Sequence, residues 1–174
     1  MGRARLEAAR ERIALKKGVG TTRVLVLLSE KIEGGNPVME PPVAASVTTA
    51  LQNAGFDAQS SKASVERVHG EEAASLTVAQ LEEQARGLAD VVVVGKVTSR
   101  YSSNFGGTTV WHRARADVRA IDVGTGQIVF QSNADEVKSK RPGELNVAGR
   151  SALEALGEAL GPNLEKVLRA SVTQ

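Results

Sequence analysis

The stretch from Asp90 to Tyr101 reads DVVVVGKVTSRY and contains four consecutive valines. A short, unbroken run of β-branched residues is typical of a strand that is covered on both faces of a sheet. After Gly95, apolar and polar residues alternate, which is the pattern of a strand with one face toward solvent. The stretch therefore predicts a long strand that begins in the centre of a sheet and runs out toward solvent.

The residues that follow predict an antiparallel meander. After a turn at 102–107, the segment 108–123 alternates charged residues with Ala and Val, which predicts a strand with one wet face and one buried face of small residues. The sequence DVGTG at 122–126 predicts a tight turn in which the Asp122 carboxylate bonds the turn backbone. A partner strand from Gln127 to about Val137 then returns along the sheet.

The residues upstream predict strands that alternate with helices. The predicted elements are a central strand at 23–28 (RVLVLL), a helix from about 41 to 54, a short strand at 56–60 and a helix from Thr77 to near Ala89. Thr77 opens the last of these helices because, with Gln80, it forms a capping box.

The last element predicted is a closing helix at 144–160, which Gly161-Pro162 interrupts before a final turn. Two strand–helix crossovers followed by a meander imply a mixed sheet, because the crossovers make parallel pairs and the meander makes antiparallel ones. The predicted fold class is α/β, a single domain with a mixed β-sheet of about five strands packed by helices.

The chain divides by charge into two parts. Its 174 residues suit one domain and carry a net charge of +2, yet residues 1–23 alone hold seven basic and two acidic side chains. We interpret residues 1–20 as a basic lead-in helix and residues 21–174 as the α/β domain. Basic arms bind nucleic acid in other proteins, but this chain lacks a basic stripe interleaved with aromatic residues, so we expect no nucleic acid partner.

Composition argues against most catalytic chemistry. The chain has no cysteine, and its two histidines, His69 and His112, lie far apart in the sequence with no metal-ligand spacing around them. No nucleophile elbow is present, and no apolar run is long enough for a membrane helix. We therefore expect no catalytic residue, no metal, no cofactor and no transmembrane segment, and we predict that the chain is not an enzyme.

The predicted hairpin around 100–112 is the most suggestive surface. Only five aromatic residues occur in the chain, and three of them, Tyr101, Phe105 and Trp111, fall in this segment. Exposed aromatic side chains often anchor protein interfaces. The candidate partner-binding residues are Arg100, Tyr101, Asn104, Phe105, Trp111 and His112. Two alternatives remain open: Phe105 could fold back onto the sheet, and His112 could point inward as a satisfied, half-buried histidine.

A second candidate site follows the first predicted strand. Gly34, Gly35 and Asn36 lie between that strand and the next helix, where open α/β sheets place their ligands. The segment lacks the spacing of a nucleotide-binding loop, and prolines intervene. It supports an alternative function, a module that binds a nucleotide or a sugar.

The run LTVAQLEEQARGLADVVVVGKVTSRY at 76–101, followed by VRAIDVGTGQIVF at 118–130, resembles the TolB amino-terminal-like domains of bacterial cell envelopes. Members of that group act in curli secretion, in activation of penicillin-binding proteins and in flagellar assembly. The matching residues are Asp90, the Gly95-Lys96-Val97 segment and Asp122 to Gly126. The resemblance covers residues 22–170.

The resemblance implies an exported, non-catalytic domain that acts as an assembly or regulatory adaptor. It implies a periplasmic or outer-membrane-associated location and other envelope proteins as partners, and it leaves a homo-oligomer open. The chain departs from lipoprotein members of the group in having no cysteine to acylate.

Overall fold

The computed structural model describes residues 22–36, 38–60, 77–132 and 136–170. The elements, in chain order, are β1 (Arg23–Ile32), α1 (Pro42–Asn53), β2 (Asp57–Ser60), α2 (Val78–Ala85), β3 (Val91–Asn104), β4 (Val110–Asp122), β5 (Gln127–Gln131), β6 (Glu136–Lys138) and α3 (Leu145–Ala170). They confirm a single α/β domain. The lead-in helix predicted for residues 1–20 lies outside the described residues.

The sheet is mixed, as predicted. Its strand order is β2-β1-β3-β4-β5, and β6 pairs with β4 beside β5. β1 is parallel to both β2 and β3, whereas β4 is antiparallel to β3, β5 and β6. β1 and β3 therefore form the centre of the sheet, where continuous apolar runs are expected.

Helices cover the two faces unequally. One face packs against α1 and α3 in the larger core, which includes Val26, Val93 and Leu156. On the other face, Leu81 and Ala85 of α2 join a smaller cluster with Leu27 and other residues at the start of the parallel strands. The side chains of β4 separate as predicted: Ala and Val lie inside, and the charged residues point to the second face.

The predicted turns and caps have their expected bonds. The Thr77 hydroxyl accepts from the Gln80 N–H at 3.4 Å, and the Gln80 side chain accepts from the Thr77 N–H at 2.9 Å. One Asp122 oxygen accepts from the N–H of Gly124 at 2.9 Å and of Thr125 at 2.8 Å. α2 ends at Ala85, earlier than predicted, because the backbone turns at Gly87, which has φ of 81°.

The interruption predicted at Gly161-Pro162 is wrong, since α3 runs unbroken from Leu145 to Ala170 with Pro162 inside it. The glycines serve close packing. A Cβ on Gly157 would lie 2.9 Å from the Ser46 Cβ of α1, and a Cβ on Gly161 would lie 3.0 Å from the Ala50 Cβ. The free energy gained by burying this face of α3 outweighs the cost of a proline inside a helix, which is about 3 kcal/mol.

The partner strand predicted from Gln127 to about Val137 is described in two parts, because residues 133–135 lie outside the described residues. The segment forms two strands, β5 and β6, which pair with different parts of β4. The register of β5 shifts between Ala120 and Ile121 of β4, and the Ser132 N–H bonds the Val118 carbonyl.

Candidate functional site

The β3–β4 hairpin projects beyond the end of β1. β1 ends at Ile32, which pairs with Ser99, whereas β3 continues to Asn104 opposite Val110. We call residues 101–111 the hairpin tip. The turn is closed by the Phe105 N–H, which donates to the Thr109 carbonyl at 2.8 Å. The hairpin tip therefore extends beyond β1, supported by its own two strands and by two backbone hydrogen bonds between Val110 and Gly143.

Two aromatic side chains of the hairpin tip are exposed to solvent. Tyr101 is 56% exposed and Phe105 is 66% exposed. Phe105 does not fold back onto the core: its ring meets Trp111 edge to face, with centroids 6.4 Å apart. The Lys138 ammonium lies 4.2 Å from the Trp111 ring centroid. Trp111 is thus held between Phe105 and a cation, and it orients the Phe105 ring toward solvent.

His112 lies inside the protein, with no exposed surface. Its Nδ1 is 3.1 Å from the Ser99 hydroxyl, and its backbone N–H donates to the Ser139 hydroxyl at 3.3 Å. Among the described residues, Nε2 has no hydrogen-bond partner. Burial lowers the pKa of His112, and the charge of Glu33 opposes that shift. Among the six candidate contact residues, His112 is therefore the one that a partner could not touch, because the strand alternation turns it inward.

Arg100 connects the hairpin to the turn after β1. Its guanidinium lies 3.1 Å from the Glu33 carboxylate, and the Glu33 N–H donates to the Ser99 carbonyl at 2.9 Å. Asn104, at the end of β3, is exposed. The two candidate sites inferred from sequence therefore lie side by side at one end of the molecule.

The Gly34–Asn36 segment is packed against the first turn of α3. A Cβ on Gly35 would lie 2.6 Å from the Asn146 Oδ1, and the same oxygen accepts a hydrogen bond of 2.8 Å from the Asn36 N–H. The Gly35 N–H donates to the Ile32 carbonyl at 3.1 Å. A phosphate-binding loop needs free N–H groups, and two of this segment's are already bonded.

Glu30 occupies the place where an anionic ligand would bind α1. Its carboxylate accepts from the N–H groups of Ala44 at 2.7 Å and Val43 at 3.1 Å, in the first turn of the helix. Burial raises the pKa of Glu30 to about 7, while these two bonds and the nearby Arg150 act in the opposite direction. The helix N-terminus, which attracts anions, is thus filled by the chain's own carboxylate.

A cleft lies next to this carboxylate, between α1 and the ends of β1 and β2. Leu28, Pro42, Ser60 and Arg150 are among its lining residues, and its volume is about 260 Å³. Small-molecule sites usually have volumes of about 300–1,000 Å³. Neither the cleft nor the Gly34–Asn36 segment presents a specific set of polar groups for a ligand. The described residues therefore do not favour the alternative function, a module that binds a nucleotide or a sugar.

The residues that carry the sequence resemblance have structural roles. Asp90 accepts from the Arg23 N–H at 3.0 Å, and Asp122 holds the turn after β4. A Cβ on Gly95 would overlap the Asp117 carbonyl oxygen of β4. Within the described ranges, no three His, Asp or Glu residues are grouped to hold a metal ion. No helix of the described part of the chain is long and apolar enough to cross a membrane.

These features describe a domain with a well-packed interior and an exposed hairpin, and comparison with protein families shows which family the chain belongs to. The model of the family described as "TP0693-like lipoprotein, C-terminal domain" matches residues 23–165. The chain belongs to this family and is, accordingly, an exported protein associated with the cell envelope. The envelope assignment made from the sequence is confirmed, whereas membership of the TolB amino-terminal-like group stays a prediction.

Solved structures with a similar fold include proteins described as lipoproteins. The PelC dodecamer from Paraburkholderia phytofirmans is 20% identical, with 86% of this chain and 87% of that chain covered and a TM-score of 0.48. Lipoprotein GNA1162 from Neisseria meningitidis is 14% identical, with coverages of 84% and 99% and a TM-score of 0.47. No curated protein matches the chain. Since these TM-scores are below 0.5, no functional inference rests on them.

Proposed function

We propose that the chain is a non-enzymatic domain that binds another envelope protein through its hairpin tip and acts as an assembly or regulatory adaptor. The observation that supports this most directly is the exposure of Tyr101 and Phe105 on a hairpin that projects beyond the sheet. Large aromatic residues with a rigid support are the usual anchors of protein interfaces. The support here is the Phe105–Trp111 contact, with Lys138 against the Trp111 ring.

The proposed location is the periplasm or the periplasmic side of the outer membrane. Membership of a lipoprotein family supports an envelope location in general, and the resemblance to TolB amino-terminal-like domains supports the adaptor role. The buried positions of His112 and Asp122, together with the absence of a metal-type cluster in the described residues, support a non-catalytic protein. Self-association through the same tip belongs to the proposal, because a second copy presents the same aromatic surface.

The test is partner capture by matched variants. The variant Tyr101→Ser/Phe105→Ser removes both exposed aromatic side chains, and Met39→Ser/Leu88→Ser removes two large apolar side chains of comparable exposure elsewhere. Intact chain and both variants are incubated with envelope extract, and retained proteins are identified by mass spectrometry. The main retained protein is then purified and titrated against each variant.

We expect the partner to bind the intact chain and the Met39/Leu88 variant equally. It should bind the tip variant at least about 30-fold more weakly, since the loss of one interface anchor alone costs about 2 kcal/mol. Equal binding to all three proteins would refute the role of the hairpin tip. Light scattering of the purified chain reports self-association; if it gives oligomers that the tip variant does not form, the partner is a second copy.

A further inference from the structure

The second face of the sheet carries a group of basic side chains beside α2. Positions opposite each other in antiparallel strands share a face, so the registers of β3, β4 and β6 bring these residues together. The basic residues of this face are Lys96, Arg100, Arg113, Arg115, Arg119 and Lys138, and we call this surface the basic face. Asp117 and Glu136 are its acidic residues, so the three strands contribute a net charge of +4.

Nearby carboxylates neutralise only part of the positive charge of this face, since Glu136 pairs with Arg113 at 3.3 Å. Glu33 pairs with Arg100 at 3.1 Å, but Lys31 of β1 adds a further positive charge on the same side of the sheet. Lys96 and Arg115 are exposed, and neither lies within 4 Å of a carboxylate among the described residues. Residues 24–174 together have a net charge of −3. The positive charge of this face is therefore a local excess on a domain that is otherwise acidic.

We propose that the basic face binds the headgroup surface of a membrane that contains anionic phospholipid. Two observations favour this occupant: the charge is complementary, and the chain belongs to a lipoprotein family, which implies a place at the cell envelope. Each Lys or Arg near an anionic bilayer contributes about 1 kcal/mol, which corresponds to about a fivefold gain in affinity. Long basic side chains extend outward from the strands, so they can contact lipid headgroups although the protein surface is not complementary in shape to the membrane.

The details of the face fit a headgroup layer better than a linear polyanion. Its central cleft, of about 310 Å³, is lined by Asp117 together with Lys96 and Arg119. A polymer seated in this cleft would bring its charges against the Asp117 carboxylate, whereas a bilayer acts through the summed field with water in between.

The test uses vesicles of two compositions and a matched pair of variants. The probes are phosphatidylcholine vesicles and vesicles in which about one third of the lipid is phosphatidylglycerol, measured by co-sedimentation at about 0.05 M and about 0.5 M salt. Lys96→Gln/Arg115→Gln removes two charges from the basic face. Lys166→Gln/Arg169→Gln makes the same change in net charge on α3, which packs on the other face of the sheet.

We expect the chain to bind the anionic vesicles at low salt, and to bind neither vesicle at high salt. The Lys96/Arg115 variant should bind about 30-fold more weakly, and the Lys166/Arg169 variant should bind as the unchanged chain does. Melting curves that agree among the three proteins exclude unfolding as the cause.

Four results would overturn the proposal. The first is that the unchanged chain does not bind the anionic vesicles. The second is that both variants bind these vesicles equally more weakly, which would indicate an effect of overall charge. The third is that the Lys96/Arg115 variant binds the vesicles as tightly as the unchanged chain. The fourth is binding of polyglutamate or an oligonucleotide, but not vesicles, at the basic face. The tip variant Tyr101→Ser/Phe105→Ser should still bind vesicles, so failure of this proposal and failure of the adaptor role are distinguishable.

Discussion

The carboxylate of Glu30, at the end of β1, accepts a hydrogen bond of 2.7 Å from the backbone N–H of Ala44 in the first turn of α1. A second bond from Val43 completes the cap. A buried carboxyl group thus joins a strand to the helix that follows it, in place of the Ser, Thr, Asn or Asp that usually caps a helix from its own N-cap position.

The raised pKa of Glu30, about 7 against an ordinary value of 4.5, makes stability depend on pH. The folded protein holds this proton more tightly than the unfolded chain does. The contribution of Glu30 to the free energy of unfolding is therefore full below about pH 4.5 and is lost as the pH rises through 7, by up to about 3 kcal/mol. Urea denaturation at about pH 5 and pH 8 measures it.

The variant Glu30→Gln is the control, because it keeps an acceptor oxygen for the helix N–H groups and removes the titration. Its free energy of unfolding should change less between the two pH values than that of the unchanged chain. An equal pH dependence in both proteins would show that Glu30 does not titrate in this range.

His112 should act in the opposite direction. Burial lowers its pKa, so the unfolded chain binds a proton more readily than the folded one. Stability from this residue is present above about pH 6.5 and falls as the pH drops below that value. We expect His112→Asn to remove part of the acid sensitivity, as measured by unfolding at pH values from about 7 down to 5. A variant as acid-sensitive as the unchanged chain would contradict this prediction.

Gly95→Ala should destabilise the protein strongly. The added Cβ would overlap the Asp117 carbonyl oxygen and lie 2.7 Å from the Val118 Cα, and both are backbone atoms of β4. Overpacking of this kind costs about 1–3 kcal/mol or more, since neither strand can move without its neighbours. The measurement is the free energy of unfolding in urea.

Gly143→Ala is the matched control for this substitution. Its Cβ would meet the Val147 side chain at 3.0 Å, and a side chain at the surface can turn away. We expect a change well below that of Gly95→Ala. Equal effects of the two substitutions would show that the cross-strand contact at Gly95 is not the reason for glycine there.

Pro162→Ala should stabilise the protein. Pro162 lies on the exposed side of the continuous helix α3, where it donates no N–H to the helix. Replacing a proline inside a helix by alanine can raise the free energy of unfolding by up to about 3 kcal/mol. Thermal unfolding measures the gain, with the neighbouring exposed Asn163→Ala as a control for helix propensity alone. A lower melting temperature in Pro162→Ala would refute the prediction and indicate a helix whose bend the packing needs.

The sequence predicted the elements whose patterns are strong. The valines of β3, the alternating small residues of β4 and the Thr77 cap all follow local rules, and each is confirmed. α3 was misread because Gly161 and Pro162 look like a helix stop. In the fold, α3 packs so closely on α1 that a side chain at Gly161 would press against Ala50. Ala50 lies far from Gly161 in the sequence, so no local pattern indicates this contact.

The candidate site was predictable only in part. Exposure of Tyr101 and Phe105 agrees with the surface role inferred from their clustering. Glu30 was missed, although an acidic residue at the end of a buried strand, shortly before a Pro-initiated helix, is a signal that could have found it. The basic face was missed as well: β4 carries three arginines on one face, with Asp117 between the second and third, but Lys96 and Lys138 join them only through strand pairing.

The position of β3 has a mechanical consequence. Its residues 91–99 pair with β1 in parallel, and its length from 91 to 104 pairs with β4. A force applied to Phe105 along the strand axis therefore loads both ladders in shear, so many hydrogen bonds must break together. A pull across the strands would separate the same bonds one after another. A force that acts on the hairpin tip along the strand axis is therefore transmitted through β3 to the centre of the sheet.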